Sequence, residues 1–428
     1  MTEHARVPRP LPGRPAGDEP GGHLAVPAPA ALAGSPSAAD LVSRFVRPAD
    51  AQSSGAHATT VGPFTGQPVL AAWAQAATAG RARPGLLSEP LAEPLPPPLP
   101  EPAEEPIDRT LVRLRPIATE LSVRSTDLWT EAGRQVIGVH FGRMRARVAG
   151  AIEAEDPEEL HAMRLSARRL RAAWRVFRDG FEPIAVNRYR SQLRLIGRTL
   201  GTARDLDVQL ALVVSYAGRR SPGEAARLEP LAVEWLMERL ACQADVTELL
   251  RSTPFANLCR EFEEFARTDG FLCREDGAPV RRVRDRAGSA TWTAYEAVLA
   301  FDGDLARMDA DRLHRLRIAV KRLRYTLESL RQPLEPASTR LLRRVVDLQD
   351  RLGDLRDFAA AADRAEQRVL VGSELTKDQR TAVVRFARHL RRRADTSRRS
   401  LPRSWAAVRG PRFRADLGRA LASAWAER

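Results

Sequence analysis

Residues 161–177 read HAMRLSARRLRAAWRVF, and residues 314–330 read HRLRIAVKRLRYTLESL. Matched places pair His161 with His314, Arg164 with Arg317, Arg168 with Lys321, Arg169 with Arg322 and Arg171 with Arg324. Arginine presents a planar fork that grips two oxygens of a phosphate or carboxylate at once. A histidine among arginines adds a donor whose charge depends on its surroundings, its unperturbed pKa lying near ~6.5. On a helix turning about 100° per residue, His161, Arg164, Arg168, Arg171 and Arg175 form one stripe, opposed by Met163, Ala167, Leu170, Trp174 and Phe177. The second copy sets His314, Arg317, Lys321 and Arg324 against Leu316, Val320, Leu323, Leu327 and Leu330. Each helix thus has an apolar back to bury and a cationic front about 15 Å long.

Stacking like charges three and four residues apart is unfavourable. For one helix, a solvated face or neighbouring acids would account for the stripe. Two copies that keep both the histidine and the arginine spacing point instead to a shared ligand. Cations repeating along a helix suit phosphates repeating along a chain, so the expected ligand is a polyanion whose binding weakens with salt. Arginines around each histidine should depress its pKa and a bound phosphate should restore it, so binding should tighten below neutral pH. Both histidines are expected to face one shared cleft.

A second motif follows each stripe. Leu200-Gly201-Thr202-Ala203-Arg204-Asp205 answers Leu352-Gly353-Asp354-Leu355-Arg356-Asp357. Here Arg204 and Arg356 extend the cationic surface, Asp205 and Asp357 orient arginines, and Gly201 and Gly353 allow helices to approach closely. Two motifs recurring in the same order imply a tandem duplication.

These motifs need long helices to hold them. From residue 128 the sequence is rich in Leu, Ala and Arg, with no alternating strand pattern. Helices are expected at 128–153, 157–179, 184–217, 223–252 and 254–267 in a first unit (128–267). In a second unit (288–426) they fall at 288–307, 310–331, 337–371, 376–399 and 411–426. Asp156-Pro157-Glu158-Glu159 reads as a helix start, with an Asp cap and proline in the first turn. The fold class is therefore all-α, each unit holding four helices, with 254–267 as a further piece and 411–426 as a short helix that closes the chain.

Residues 1–108 differ. They hold 20 of the 31 prolines, including LAEPLPPPLPEPAEEP at 91–106, and read as a disordered Pro/Ala/Gly-rich tail. The tail has 7 arginines against 11 acids, leaving 61 basic and 43 acidic residues in 109–428, a formal charge of +18. Lys321 and Lys377 are the only lysines. Cys242, Cys259 and Cys273 form no CxxC pair, so neither a disulfide frame nor a zinc site is expected. No apolar run approaches 18 residues and no secretory signal pattern opens the sequence, which suggests a soluble cytoplasmic protein with no membrane association.

HxxRxxxRRLR at 161–171, HxxRxxxKRLRY at 314–325 and the paired LGxxRD segments resemble the CHAD family, the conserved histidine α-helical domain, over residues 128–420. The resemblance implies two four-helix bundles related by a pseudo-twofold, basic helices lining a groove, binding of inorganic polyphosphate and association with polyphosphate granules. Carried over by position, the ligands are His161, Arg164, Arg168, Arg171, His314, Arg317, Lys321 and Arg324, with Arg169, Arg322, Arg204 and Arg356 beside them. Relatives often carry an N-terminal triphosphate tunnel domain with alternating Glu-x-Glu-x-Lys; 1–108 has no such run.

No P-loop or nucleophile–base pair is present and the stripes lack paired acids, so neither an enzyme nor a cofactor or metal site is expected. The same charges also suit RNA or DNA, but base stacking needs aromatics that the stripes largely lack. A scaffold whose tail recruits proteins to granules is compatible with either ligand.

Overall fold

The computed structural model describes residues 117–273, 281–305, 307–372 and 374–426. The 1–108 segment lies outside them. The described residues are helical and contain no strand, only two isolated bridges, Leu128 with Arg282 and Phe181 with Cys273. The helices are α1 (Trp129–Arg145), α2 (Val148–Glu153), α3 (Pro157–Val176), α4 (Pro183–Ala217), α5 (Pro222–Ala226), α6 (Glu229–Arg251), α7 (Thr253–Arg267), α8 (Val283–Leu299), α9 (Ala310–Ser329), α10 (Ser338–Val371), α11 (Lys377–Arg409) and α12 (Pro411–Ala426).

The two stripe helices start alike. Asp156 accepts a bond from the Glu158 amide at 2.8 Å, and Asp309 accepts one from the Arg312 amide at 2.6 Å. Both α3 and α9 are 20 residues long, and the helices after them, α4 and α10, run 35 and 34 residues.

Four expected boundaries differ. The 128–153 helix breaks into α1 and α2 where Arg147 leaves helical geometry, with φ of −101° and ψ of 1°. The 223–252 helix breaks at Arg227-Leu228, because Pro230 has no N–H to donate to the carbonyl four residues back and instead sits in the first turn of a new helix. The expected 288–307 helix begins earlier, at Val283, where Asp285 accepts from the Arg282 amide at 2.7 Å, and ends at Leu299. The 376–399 helix runs on to Arg409 through Pro402. A proline inside a helix costs a hydrogen bond, but Leu401, Ser404, Trp405 and Val408 are buried and hold the extra turns.

The apolar back of each stripe helix is buried as its periodicity requires: Met163, Ala167, Leu170 and Trp174 on α3, with Phe177 just past its end, and Leu316, Val320, Leu323 and Leu327 on α9, with Leu330 just past its end. Trp174 is fully buried, its ring 5.0–6.1 Å from those of Phe181, Tyr189, Phe262 and Phe265. Side chains of this size contribute about 1.5–3 kcal/mol each when buried, which is what fixes the cationic fronts outward.

Two apolar cores form. The larger takes α1, α3, α7, α8, α9, α12, the first parts of α4 and α10 and the last parts of α6 and α11. The smaller is built around Trp235 and Phe386 from α5, α6, α11 and the later parts of α4 and α10. Both cores draw on residues before and after 274–280, and α4 and α10 run through both.

Candidate functional site

Helices α3 and α9 pack against each other, and α4 packs against both α3 and α10. That brings the stripes and the LGxxRD segments together. Between α3, α4 and α9 lies a cleft of about 210 Å³ lined by Arg164, Arg168, Arg171, Arg175, Lys321 and Arg322, with Leu193, Gly197, Ile318 and Tyr325. The Arg168 guanidinium sits 5.8 Å from the ring centre of Tyr325, so the third cation of one stripe rests against the other helix.

The predicted cations divide by their partners. Asp205 holds two of them across the molecule, Arg164 Nη2 at 3.2 Å and Arg356 Nη2 at 3.4 Å; Arg356 also lies 3.5 Å from Asp357. Glu328 accepts from Arg169 Nε at 3.1 Å and from Arg324 Nε at 2.6 Å, tying α3 to α9. Arg204 lies 3.8 Å from Asp207, itself bonded at 2.6 Å to Arg239 of α6 in a pair almost wholly sealed from solvent. Those acids orient arginines, as expected of Asp205 and Asp357. Arg168, Arg171, Lys321 and Arg322 have no carboxylate partner among the described residues, and neither does Arg175.

Burial and mutual repulsion set the electrostatics. Lys321 is pushed down to about 6, first by burial and then by Arg168, Arg317, Arg164 and Arg356. Arg175 is lowered to about 10 by burial and by Arg322, Arg190, Arg171 and Arg178. Arg164, Arg171 and Arg317 are also lowered, burial leading in each case. Arg324 goes the other way: burial works against its charge, but Glu328 more than compensates. Asp357 is raised, chiefly by burial.

The histidines are not equivalent. His161 is half-buried and pushed down to about 4 by burial, then by Arg204, Arg164 and Arg168. Its Nδ1 is buried without a hydrogen-bond partner. His314 is exposed on the first turns of α9. The expectation that both histidines share the cleft therefore requires correction: α9 begins at solvent, whereas the matching turn of α3 is covered by Arg204 and Arg164. Lys321, rather than a histidine, is the cleft cation whose pKa lies nearest neutrality.

The glycines also differ from expectation. A Cβ on Gly201 would lie 3.7 Å from the Arg164 guanidinium, an ordinary contact, and one on Gly353 would meet nothing within 4 Å. Neither position requires glycine for helices to approach; at Gly201 the neighbour is a ligand-class side chain.

Arg190 and Arg194 of α4 and Arg178 after α3 were not foreseen. Arg190 presses on both Arg171 and Arg175, Arg194 presses on Arg171, and Arg178 and Arg322 press on Arg190, so one end of the cleft is a cluster of guanidinium groups. Their signal was present: Arg190, Arg194, Gly197, Gly201 and Arg204 recur at three and four residues along one face of α4.

The described residues form an all-helical fold in which the two helices carrying the recurring sequence motif pack against each other. Residues 135–366, more than half of the chain, match the CHAD domain, and the chain belongs to the CHAD family, which is associated with polyphosphate binding. Among solved structures it is similar to the CHAD domain from the plant Ricinus communis, with a TM-score of 0.51 and 24% identity over 73% of this chain and 98% of that one. It is also similar to PptA from Streptomyces chartreusis, with a TM-score of 0.49 and 16% identity over 65% and 99%. No curated protein matches the chain. Among the described residues no helix is long and apolar enough to cross a membrane.

Proposed function

We propose that this protein binds inorganic polyphosphate in the cleft between α3, α4 and α9, holds it without turning it over, and associates through it with polyphosphate granules. One observation carries the reading: Arg168, Arg171, Arg175, Lys321 and Arg322 converge on one cleft with no carboxylate partner among the described residues. Crowded, half-buried cations repel one another, and burial first, with that repulsion added to it, lowers Lys321 to about 6. An anion with many linked charges relieves it at several positions at once. A single phosphate would neutralise one or two cations; a chain can follow the stripe.

Binding without turnover fits the acids nearby. Asp205 and Glu328 each accept from two arginines, so their oxygens are already engaged in orienting cations and are poorly placed to take a proton from a substrate. A polymer of phosphates also suits the cleft better than nucleic acid does. Tyr325, the aromatic lining it, is only 6% exposed and lies beside Arg168, so it offers a base no open face to stack on.

The test is titration of labelled long-chain polyphosphate against the full chain and against an Arg171→Ala, Arg175→Ala, Arg322→Ala variant, with RNA and duplex DNA as competitors at one stated salt concentration. The variant should bind at least tenfold more weakly, and its log–log salt slope should fall by about 2. Competition by duplex DNA equal to that by polyphosphate would remove the basis of the reading. A fluorescent fusion that ignores granules in cells rich in polyphosphate would overturn the granule assignment.

A further inference from the structure

A second group of cations lies away from the cleft, where the end of α4 meets α11. His389 sits with its ring centre 5.0 Å from that of Tyr216, and the Arg220 guanidinium lies 4.4 Å from the centre of the same tyrosine ring. Arg393, Arg392, Arg219 and Arg220 all act on His389. Arg393 is half-buried over the Phe358 ring at 4.3 Å, and Tyr216 and Arg220 also border a cavity of about 120 Å³.

Acids near this group are engaged elsewhere. Asp363 and Glu366 hold Arg391 at 2.5 and 2.6 Å, Asp378 holds Arg227 at 3.2 Å, and Glu224 lies 3.8 Å from Arg385. Asp354 is the carboxylate that acts on Arg393. Arg219, Arg220 and Arg392 are exposed and have no carboxylate partner among the described residues.

The two basic regions share one face of α4. Arg204, Val208, Ala211, Ser215 and Arg219 recur at three and four residues, so they form a continuous strip. Between the arginines the strip is uncharged and small, with Ala211 exposed and Val208 and Ser215 half-buried. The distance from Arg204 to Arg219 along the axis is about 22 Å. Arg219 donates to Ser215, from Nε to its carbonyl at 3.0 Å and from Nη2 to its hydroxyl at 2.6 Å, which folds its guanidinium back along this strip.

We propose that Arg219, Arg220, Arg392 and Arg393, with His389, form a second anion-binding patch that grips the distal part of a phosphate chain seated in the cleft, making affinity depend on chain length. The proposal rests on the function proposed above. The cleft alone serves a short chain; a long one crosses the Val208–Ser215 strip and engages both.

The experiment compares tripolyphosphate with long-chain polyphosphate on the full protein at fixed ionic strength. In an Arg219→Ala, Arg220→Ala, Arg392→Ala variant, long-chain affinity should fall about tenfold while tripolyphosphate affinity stays within twofold. Removing three exposed arginines elsewhere, Arg340, Arg343 and Arg412, should change long-chain affinity less than twofold. Ser215→Glu, which places a carboxylate between the patches, should reproduce the selective loss without removing any cation. Unchanged long-chain affinity in the triple variant, equal loss of both ligands, or an equal effect of the control triple overturns the second patch while leaving the cleft assignment intact. If the unaltered protein binds neither ligand, the cleft assignment itself fails, and the patch with it.

Discussion

Lys321→Arg exchanges a cleft cation that titrates near neutrality for one that does not titrate in proteins. The matched position on α3 is Arg168, so the cleft already accommodates a guanidinium at that level. With the amine lowered to about 6, roughly a tenth of the free protein is charged at Lys321 at pH 7 and roughly a hundredth at pH 8. A bound phosphate favours the charged amine, so binding takes up a proton and affinity falls as pH rises above 6. Recharging costs about 1.4 kcal/mol at pH 7 and about 2.7 kcal/mol at pH 8. The arginine variant avoids that cost. It should bind long-chain polyphosphate up to about tenfold more tightly than the parent at pH 7 and up to about a hundredfold at pH 8, the two converging below pH 6. Titrations from pH 5.5 to 8.5 at constant ionic strength measure this directly. Parallel affinity profiles for the two proteins would refute the argument.

The remaining predictions concern stability. Because the folded pKa of Lys321 lies below its unfolded value, the unfolded chain binds more protons between about pH 6 and 10; stability should rise with pH through that window, and Lys321→Met should flatten the rise in thermal melts. Trp174→Ala should destabilise the protein by about 3–5 kcal/mol in urea unfolding, because the ring is fully enclosed by four aromatic neighbours. Glu328→Gln removes the shared partner of Arg169 and Arg324 and should cost about 1–3 kcal/mol by the same assay.

Much of the helical architecture was legible because each stripe helix alternates buried and charged positions at helical spacing, and because Asp156-Pro157 and Asp309 announce their starts. Periodicity says which face is buried but not what stands opposite it. Glu328 illustrates the gap: in sequence it ends the second stripe, yet in space it bridges Arg169 and Arg324, a role that depends on α3 lying against α9. The unlike fates of His161 and His314 have the same origin, since the same motif meets a covered turn in one place and solvent in the other. Arg190 and Arg194 fall on the Gly197–Gly201–Arg204 face of α4 by spacing, but they lie outside the recurring motif that marks the other cations.

The two longest helices each thread both apolar clusters, so the boundary between the halves is crossed at two levels, where α3 meets α9 and where α4 meets α10. Severing the chain near residue 280 would give two fragments, each bearing one side of the large cluster and one side of the small one. Each fragment would keep its internal helix packing but expose the apolar face it presents to the other, and the cleft cations would lose the opposing wall that sets their spacing. Reassembly from separately expressed halves is therefore the only route by which such pieces would recover a working cleft.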